Sequence, residues 1–421
     1  MEQTQKVLNT IKKKHDEILD FFRQLVKIPS ITESGLPEKE IQELIGVKLN
    51  QIGCSVDTWE PKLEELKTHP AYVPVQKNFE NRPIVVGKFK GSRGGRSIIL
   101  NGHADVVSPE PYAAWKYNPW SATIDGNRVF GRGAADMKGG MTAMIMALES
   151  VLESGIELGG DVMIESVLDE EIGGNGTLAC IMRGYRADGA IVTEPTNLEL
   201  HLAHRGGCFF NIRVEGKSAH VGVKFEGVSA LEKAIKILNA LGDFEEYRRR
   251  QKTHFLFEQY PLQVPLNIGV IKGGEWPCTV PKEVFLEGTV ECLPGESIKE
   301  VSRDLEDYVR KVAESDWWMK KNKPSVEWPG LWIESSEIDL HHPLVLTMSE
   351  SVRELTGKEP VVAGFPGGCD MRLLVRYAST PTLIFGPGSI KEAHSVNESL
   401  RINDLIRSIE IIALFLLKWC S

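Results

Sequence analysis

Between about Pro83 and Glu194 the chain alternates short β-branched runs with a segment of helical period, and few architectures accept that alternation. IVVGKF, SIILNGHAD, DVMIESVL and GAIVTE read as strands. After Lys138, Met141, Ile145, Leu148 and Leu152 recur at near-helical spacing, and Gly155 and Gly159 close the segment. The result is an α/β domain. Asp136 then lies just before a helix, His103 and Glu194 end strands, and Glu170 and Glu171 follow one. All five fall at the carboxyl edge, where open α/β sheets gather ligands.

From about His201 the pattern changes to strand (FFNIRVEG), helix (VSALEKAIKILNAL), two strands (LNIGVIKGG, VFLEGTVECL), helix (IKEVSRDLEDYVRKVAES) and strand (SVEWPGLWI). That order is the split βαβ, ferredoxin-like arrangement, able to fold on its own. After Ser335 the chain returns to the first domain: TPTLIFGPG reads as extended, and an amphipathic helix begins near Asn403. We therefore expect a discontinuous α/β domain, residues 1–200 and 337–421, with an α+β domain of residues 201–336 inserted in it. A length of 421 residues with 42% hydrophobic content suits two domains. The polar stretch Leu63 to Arg82 reads as a long surface loop. The apolar run Ile411 to Leu417 is far short of the ~20 residues that cross a bilayer and reads as a buried terminal helix.

A formal net charge of −9, from 49 basic and 58 acidic residues, opposes nucleic-acid binding, which rests on Lys and Arg contacts to phosphate. Neither nucleic acid nor membrane is an expected partner. The seven cysteines are odd in number, scattered, and never Cys-x-x-Cys, so neither a disulfide framework nor a zinc ribbon is indicated. The first residues, MEQTQKVLNTIKKKHDEILDFF, lack a secretory pattern. A cytoplasmic location is the simplest expectation.

The chemistry resides in short polar runs. In NGHADVV one of His103 and Asp105 can ligate a metal while the other orients it. GRGAADMKGG sets Asp136 among glycines that let backbone approach a ligand. A phosphate loop is the rival reading, but the third fingerprint glycine and a Gly-Lys-Ser/Thr ending are both missing. VLDEEIGGNGT places Asp169, Glu170 and Glu171 side by side, and adjacent carboxylates repel unless cations or protons intervene. A solvated acidic turn would explain that run alone. With Glu194 in VTEPTN and His394 in AHSVNE, the set becomes two histidines and three carboxylates. Such a mixed nitrogen and oxygen set suits zinc, manganese or cobalt, and suffices for two ions sharing one carboxylate.

GHADVV, GRGAADMKGG, DEEIGG, VTEPT, GKSAHVG, and GPG followed by HSVNE together resemble one metallopeptidase and deacylase family. It is the M20-type family that includes acetylornithine deacetylase, succinyl-diaminopimelate desuccinylase and carboxypeptidase G2. The resemblance runs from about Leu19 to the C-terminus. It implies that Asp136 bridges two divalent ions, most simply zinc, with His103 and Glu194 completing one site and Glu171 and His394 the other. It further implies Glu170 as general base, Asp105 as orienter, and a homodimer formed through the inserted domain. His220, in GKSAHVG, would stabilise the oxyanion in the site of the other subunit. The implied reaction is hydrolysis of an N-acyl amide on a small amino-acid-like molecule, with water activated between the ions.

Three departures from the family pattern bear on the substrate. Trp276, Pro277 and Cys278 stand where an asparagine is common, which makes Cys278 a candidate substrate contact. Glu291 occupies the place of an arginine that in some members binds a substrate carboxylate. The loop GGCDMR, Gly367 to Arg372, is one residue short, leaving Gly368 and Arg372 as candidate substrate contacts. A dipeptidase or aminopeptidase, or a metal-dependent binder without catalysis, are the competing readings; a nucleotide-dependent enzyme is a third. An intact Glu170 argues against a pure binder.

Overall fold

The four apolar runs become neighbours in one mixed sheet. The computed structural model describes residues 2–32, 37–75, 78–92 and 94–421. In spatial order the sheet runs Ser55–Trp59, Ile84–Phe89, Val162–Val167, Ile98–His103, Ala190–Val192, Thr382–Ile384, Leu200–His204 and Ser336–Glu337, with Val362–Phe365 also pairing with Leu200–His204. Val162–Val167, Ile98–His103, Ala190–Val192 and Thr382–Ile384 are consecutive and mutually parallel. The strand after Ile98–His103 in sequence lies on one side of it and the next lies on the other. The outgoing loops diverge there, which is where such sheets hold ligands.

The helix Gly139–Glu153 is buried over nearly its whole surface and packs against the terminal helix Ile402–Trp419. Two glycines set its seat. A Cβ on Gly140 would lie 1.9 Å from the Thr193 carbonyl oxygen, and one on Gly102 would lie 2.7 Å from Met141 Sδ. The terminal helix buries Ile409, Ile411, Ile412, Leu414, Phe415 and Leu416, each worth about 1.5–3 kcal/mol against exposure. Among the described residues no helix is long and apolar enough to cross a membrane.

The stretch Leu63 to Arg82 departs from the surface loop expected of it. It opens with a short helix, Leu63–Leu66, and Val73, Phe79 and Arg82 are buried. Its polarity misled because Arg82 goes inward to meet two buried carboxylates, those of Glu38 and Asp169. Residues 76 and 77 lie outside the described residues.

The chain divides into two compact units: residues 1–203, 337–365 and 369–421, and residues 204–336 with 366–368. In the second, the strands Leu266–Gly273, Glu283–Cys292, Gly206–Glu215 and Ser325–Glu327 form an antiparallel sheet in that spatial order. This is the order of a split βαβ fold. The helices Ala230–Gln251 and Ile298–Glu314 pack on the sheet. Alternate residues Phe210, Ile212 and Val214 enter the core with Leu286, Val290, Ile237 and Leu305, as the period of two requires.

Candidate dinuclear metal site

Strand ends and the loops that leave them assemble the site. His103 is the last residue of Ile98–His103, Glu170 and Glu171 form the turn that follows Val162–Val167, and Glu194 comes just after Ala190–Val192. Asp136 lies in the tight segment Ala134–Lys138 that leads into Gly139–Glu153, with extended backbone, φ −123° and ψ 98°. His394 arrives from the loop beyond Thr382–Ile384 and is left-handed, φ 57°.

Asp136 divides its carboxylate between the two histidines. Its Oδ1 is 3.1 Å from His103 Nε2, and its Oδ2 is 3.3 Å from His394 Nε2. His394 Nε2 also lies 2.9 Å from Glu171 Oε2. His103 Nε2 is 3.9 Å from both Glu170 Oε2 and Glu194 Oε1. Two triplets, His103, Asp136, Glu171 and His103, Glu170, Glu194, each bring one donor atom per residue within 4.8 Å of the others.

His103 Nδ1 donates to the main-chain carbonyl of Asp105 at 2.9 Å. That bond fixes the tautomer and leaves Nε2 free to face the cluster. The Asp105 carboxylate stands 3.7 Å from Nδ1 and accepts from Thr32 Oγ1 at 2.7 Å. Asp105 thus reaches His103 through its backbone, because the strand ends at His103 and the alternation of side chains stops there.

The electrostatics call for cations. Burial lifts Glu170 and Glu194 well above the ordinary carboxylate range, and the charges of Glu194 and Asp136, respectively, add to it. Glu171 is raised by burial and by Asp136. Burial opposes ionisation of Asp136 too, yet its hydrogen bonds with His103 and His394 hold it below the usual range. Hydrogen bonds to Asp136 and Glu171 push His394 up to about 11. Without cations, only protons on the imidazoles or carboxylates could offset this buried negative charge. Metal ions would release those protons and take over that role, since ligands bind deprotonated. One oxygen of Glu171, Oε1, is buried without a protein hydrogen-bond partner. A mixed imidazole and carboxylate set with an unsatisfied buried oxygen fits divalent metal.

Two supporting residues, Glu398 of HSVNE and Asp370 of GGCDMR, carry no sign of their role in the sequence. Glu398 accepts the backbone N–H groups of Gly133, Ala135 and Asp136 at 3.0, 2.8 and 3.0 Å, and Arg132 Nη1 at 2.7 Å. Asp370, buried, accepts Thr177 Oγ1 at 2.6 Å. The role of Glu398 follows only from asking what satisfies the amides around Asp136.

The proposed substrate contacts divide. Arg372 is buried and donates through Nη2 to the Gly173 carbonyl at 2.8 Å. Gly368 belongs to the second unit and lines a cavity of about 140 Å³ with Arg205, Glu291 and Ile333. There Glu291 pairs with Arg205 at 3.1 Å. Cys278 is exposed, its carbonyl accepting the Val221 N–H at 2.9 Å. His220 is exposed on the same unit, with Nδ1 accepting the Gly222 N–H at 3.1 Å.

Comparison with known proteins agrees with this picture. The family model for peptidase family M20/M25/M40 matches residues 99–418. N-formyl-4-amino-5-aminomethyl-2-methylpyrimidine deformylase of Bacillus subtilis (strain 168) is 32% identical, over 96% of this chain and 95% of its own. Acetylornithine deacetylase of Vibrio cholerae serotype O1 is 28% identical over 83% and 87%. The solved structure of the dipeptidase Dug1p from Saccharomyces cerevisiae shares the fold, with a TM-score of 0.77, 16% identity, and coverage of 100% of this chain and 99% of that one. The chain belongs to peptidase family M20/M25/M40 and is a metallohydrolase acting on amide bonds.

Proposed function

We propose that the protein removes a small acyl group, formyl or acetyl, from the nitrogen of a small amine. The observation that carries this reading is the convergence of His103, Asp136, Glu170, Glu171 and Glu194 donor atoms within 4.8 Å triplets. The names of both curated relatives, a deformylase and a deacetylase, support the substrate class. His103 and Glu194 would hold one cation, Glu171 and His394 the other, and Asp136 both; zinc is the first choice, with cobalt or manganese as alternatives. When bound, such ions polarise the scissile carbonyl and make water acidic near neutrality.

The chain's own groups do the rest. Glu170 takes a proton from the attacking water and returns it to the departing amine nitrogen. The main-chain carbonyl of Asp105 keeps His103 in one tautomer. Glu398 fixes the backbone of Asp136. We assign the oxyanion donor to His220 of a second copy in a homodimer, each site being completed by the other chain's second unit. The free thiols favour a reducing cytosol as its location.

The test is a panel of N-formyl, N-acetyl and N-succinyl amines and dipeptides, presented to the zinc-loaded protein with free amine as the readout. Turnover of formyl or acetyl amides is the expected result. Turnover of dipeptides alone overturns the reading.

A further inference from the structure

We propose that Arg82 and Arg372 are positioning residues which clamp the two ends of the turn Asp169–Gly173 and so hold Glu170 in place for proton transfer. This rests on the reading of Glu170 as general base.

The turn is short and sharply bent. Asp169 is left-handed at φ 67°, Glu170–Ile172 makes a single helical turn, and Gly173 sits at φ 139°. Within it, the Gly174 N–H donates to the Asp169 carbonyl at 2.7 Å and the Gly173 N–H to that of Glu170 at 3.0 Å. Those bonds shape the turn but do not anchor it.

The anchors are two buried guanidinium groups. At the first end, Arg82 pairs with the Asp169 carboxylate and grips Glu38 in a fork, its Nη2 lying 3.0 Å from Glu38 Oε1. Arg82 Nη1 donates to the Asn78 carbonyl at 3.2 Å, and the guanidinium faces the Phe79 ring at 5.4 Å. Arg82 is 3% exposed, and Glu38 and Asp169 are fully buried. At the far end, Arg372 Nη2 donates to the Gly173 carbonyl at 2.8 Å and is 4% exposed. Between them the turn is wedged: a Cβ on Gly173 would meet Val73 Cβ at 2.6 Å, and one on Gly174 would meet Asp370 Oδ1 at 2.3 Å.

Burying a guanidinium is costly unless its donors are paired. Two such groups on one five-residue turn exceed what its backbone conformation demands, since aspartate accepts a positive φ unaided. What the turn carries is Glu170, and displacement of a reacting group by about 1 Å can cost a hundredfold in rate. Arg372 accordingly acts on the general base and not on a substrate carboxylate.

The test compares Asp169→Gly, Arg372→Met, Arg372→Lys and Glu170→Gln in the zinc-loaded full chain. Asp169→Gly keeps the positive φ without strain and leaves Arg82 matched in charge by Glu38, so folding is preserved while the anchor is lost. Asp169→Gly and Arg372→Met should each lower kcat by about 10- to 100-fold, with KM and zinc stoichiometry within about twofold of the parent. Arg372→Lys should recover part of the loss. Parental kcat in Asp169→Gly and Arg372→Met, beside an inactive Glu170→Gln, overturns the clamp alone. A rise in KM confined to carboxylate-bearing substrates in Arg372→Met also overturns it, by returning Arg372 to the substrate. An active Glu170→Gln removes the general-base reading and the clamp with it.

Discussion

Glu398 holds Asp136 by its backbone: the glutamate carboxylate accepts the aspartate N–H at 3.0 Å, and the neighbouring N–H groups of Ala135 and Gly133 as well. Arg132 balances the charge. Glu398→Gln replaces one acceptor oxygen by a donor, which then faces backbone donors, and leaves the buried charge of Arg132 without a counter-charge. Stability should fall by about 3–5 kcal/mol, the usual result of breaking a buried pair. Zinc affinity should fall about 10- to 100-fold, as for other groups that orient a ligand. Denaturant unfolding and metal titration measure both; unchanged zinc affinity would show that Asp136 needs no such support.

Removing metal should abolish turnover, and zinc, cobalt or manganese should restore it. The same ions should raise stability, because they bind the folded cluster and not the dispersed ligands. At a thousandfold excess over Kd the gain is about 4 kcal/mol. Thermal unfolding with and without chelator reads it. Full activity in metal-free protein would refute the ligand assignment.

Glu165 gives a pH dependence away from the cluster. It is buried on Val162–Val167, accepts Asn101 Nδ2 at 3.0 Å, and burial pushes it up to about 7. Its unfolded value is the ordinary one, near 4.5. Between those values the folded protein keeps a proton that the unfolded chain has lost, so stability falls as pH rises from 4.5 to 7 and is lower by about 3 kcal/mol beyond it. Glu165→Gln should remove this slope, raising stability at pH 8 while leaving pH 5 nearly unchanged. Equal effects at both pH values would mean that Glu165 does not bind the proton.

Much of this arrangement is legible in the sequence because the proposed ligands sit where regular patterns stop. β-Branched runs end at His103 and just before Glu194, and the helical period begins just after Asp136. The split βαβ unit was readable for the same reason, each element having a clean period. What the patterns do not show is which groups act through, or on, the backbone. Glu398 works by satisfying amides, Asp105 by its carbonyl, and Arg82 from a stretch whose polarity suggested solvent. Periodicity reports which side chains face a core; it does not report which buried donors need an acceptor.

If His220 acts across subunits, mixing equal amounts of His220→Ala and Glu170→Ala chains should restore activity. Random pairing makes half the dimers mixed, and one site in each carries both groups. Recovery should approach about a quarter of parental activity. No recovery after verified subunit exchange would eliminate the trans role.

The close seat of Gly139–Glu153 should be the least tolerant backbone feature near the site. A methyl at Gly140 would lie 1.9 Å from the Thr193 carbonyl oxygen, which is backbone and cannot rotate away. Gly140→Ala must therefore separate the helix from the strand end that leads to Glu194. Overpacking of this kind costs about 1–3 kcal/mol or more, and the movement should weaken zinc binding because Asp136 and Glu194 stand on the two separated elements. Gly155→Ala is the matched comparison: φ is +70° with nothing within 4 Å, so only local backbone strain, about 1 kcal/mol, is expected and zinc affinity should not change. Loss of zinc affinity in both variants, or in neither, would show that the contact at Thr193 does not set the spacing of the two ligands.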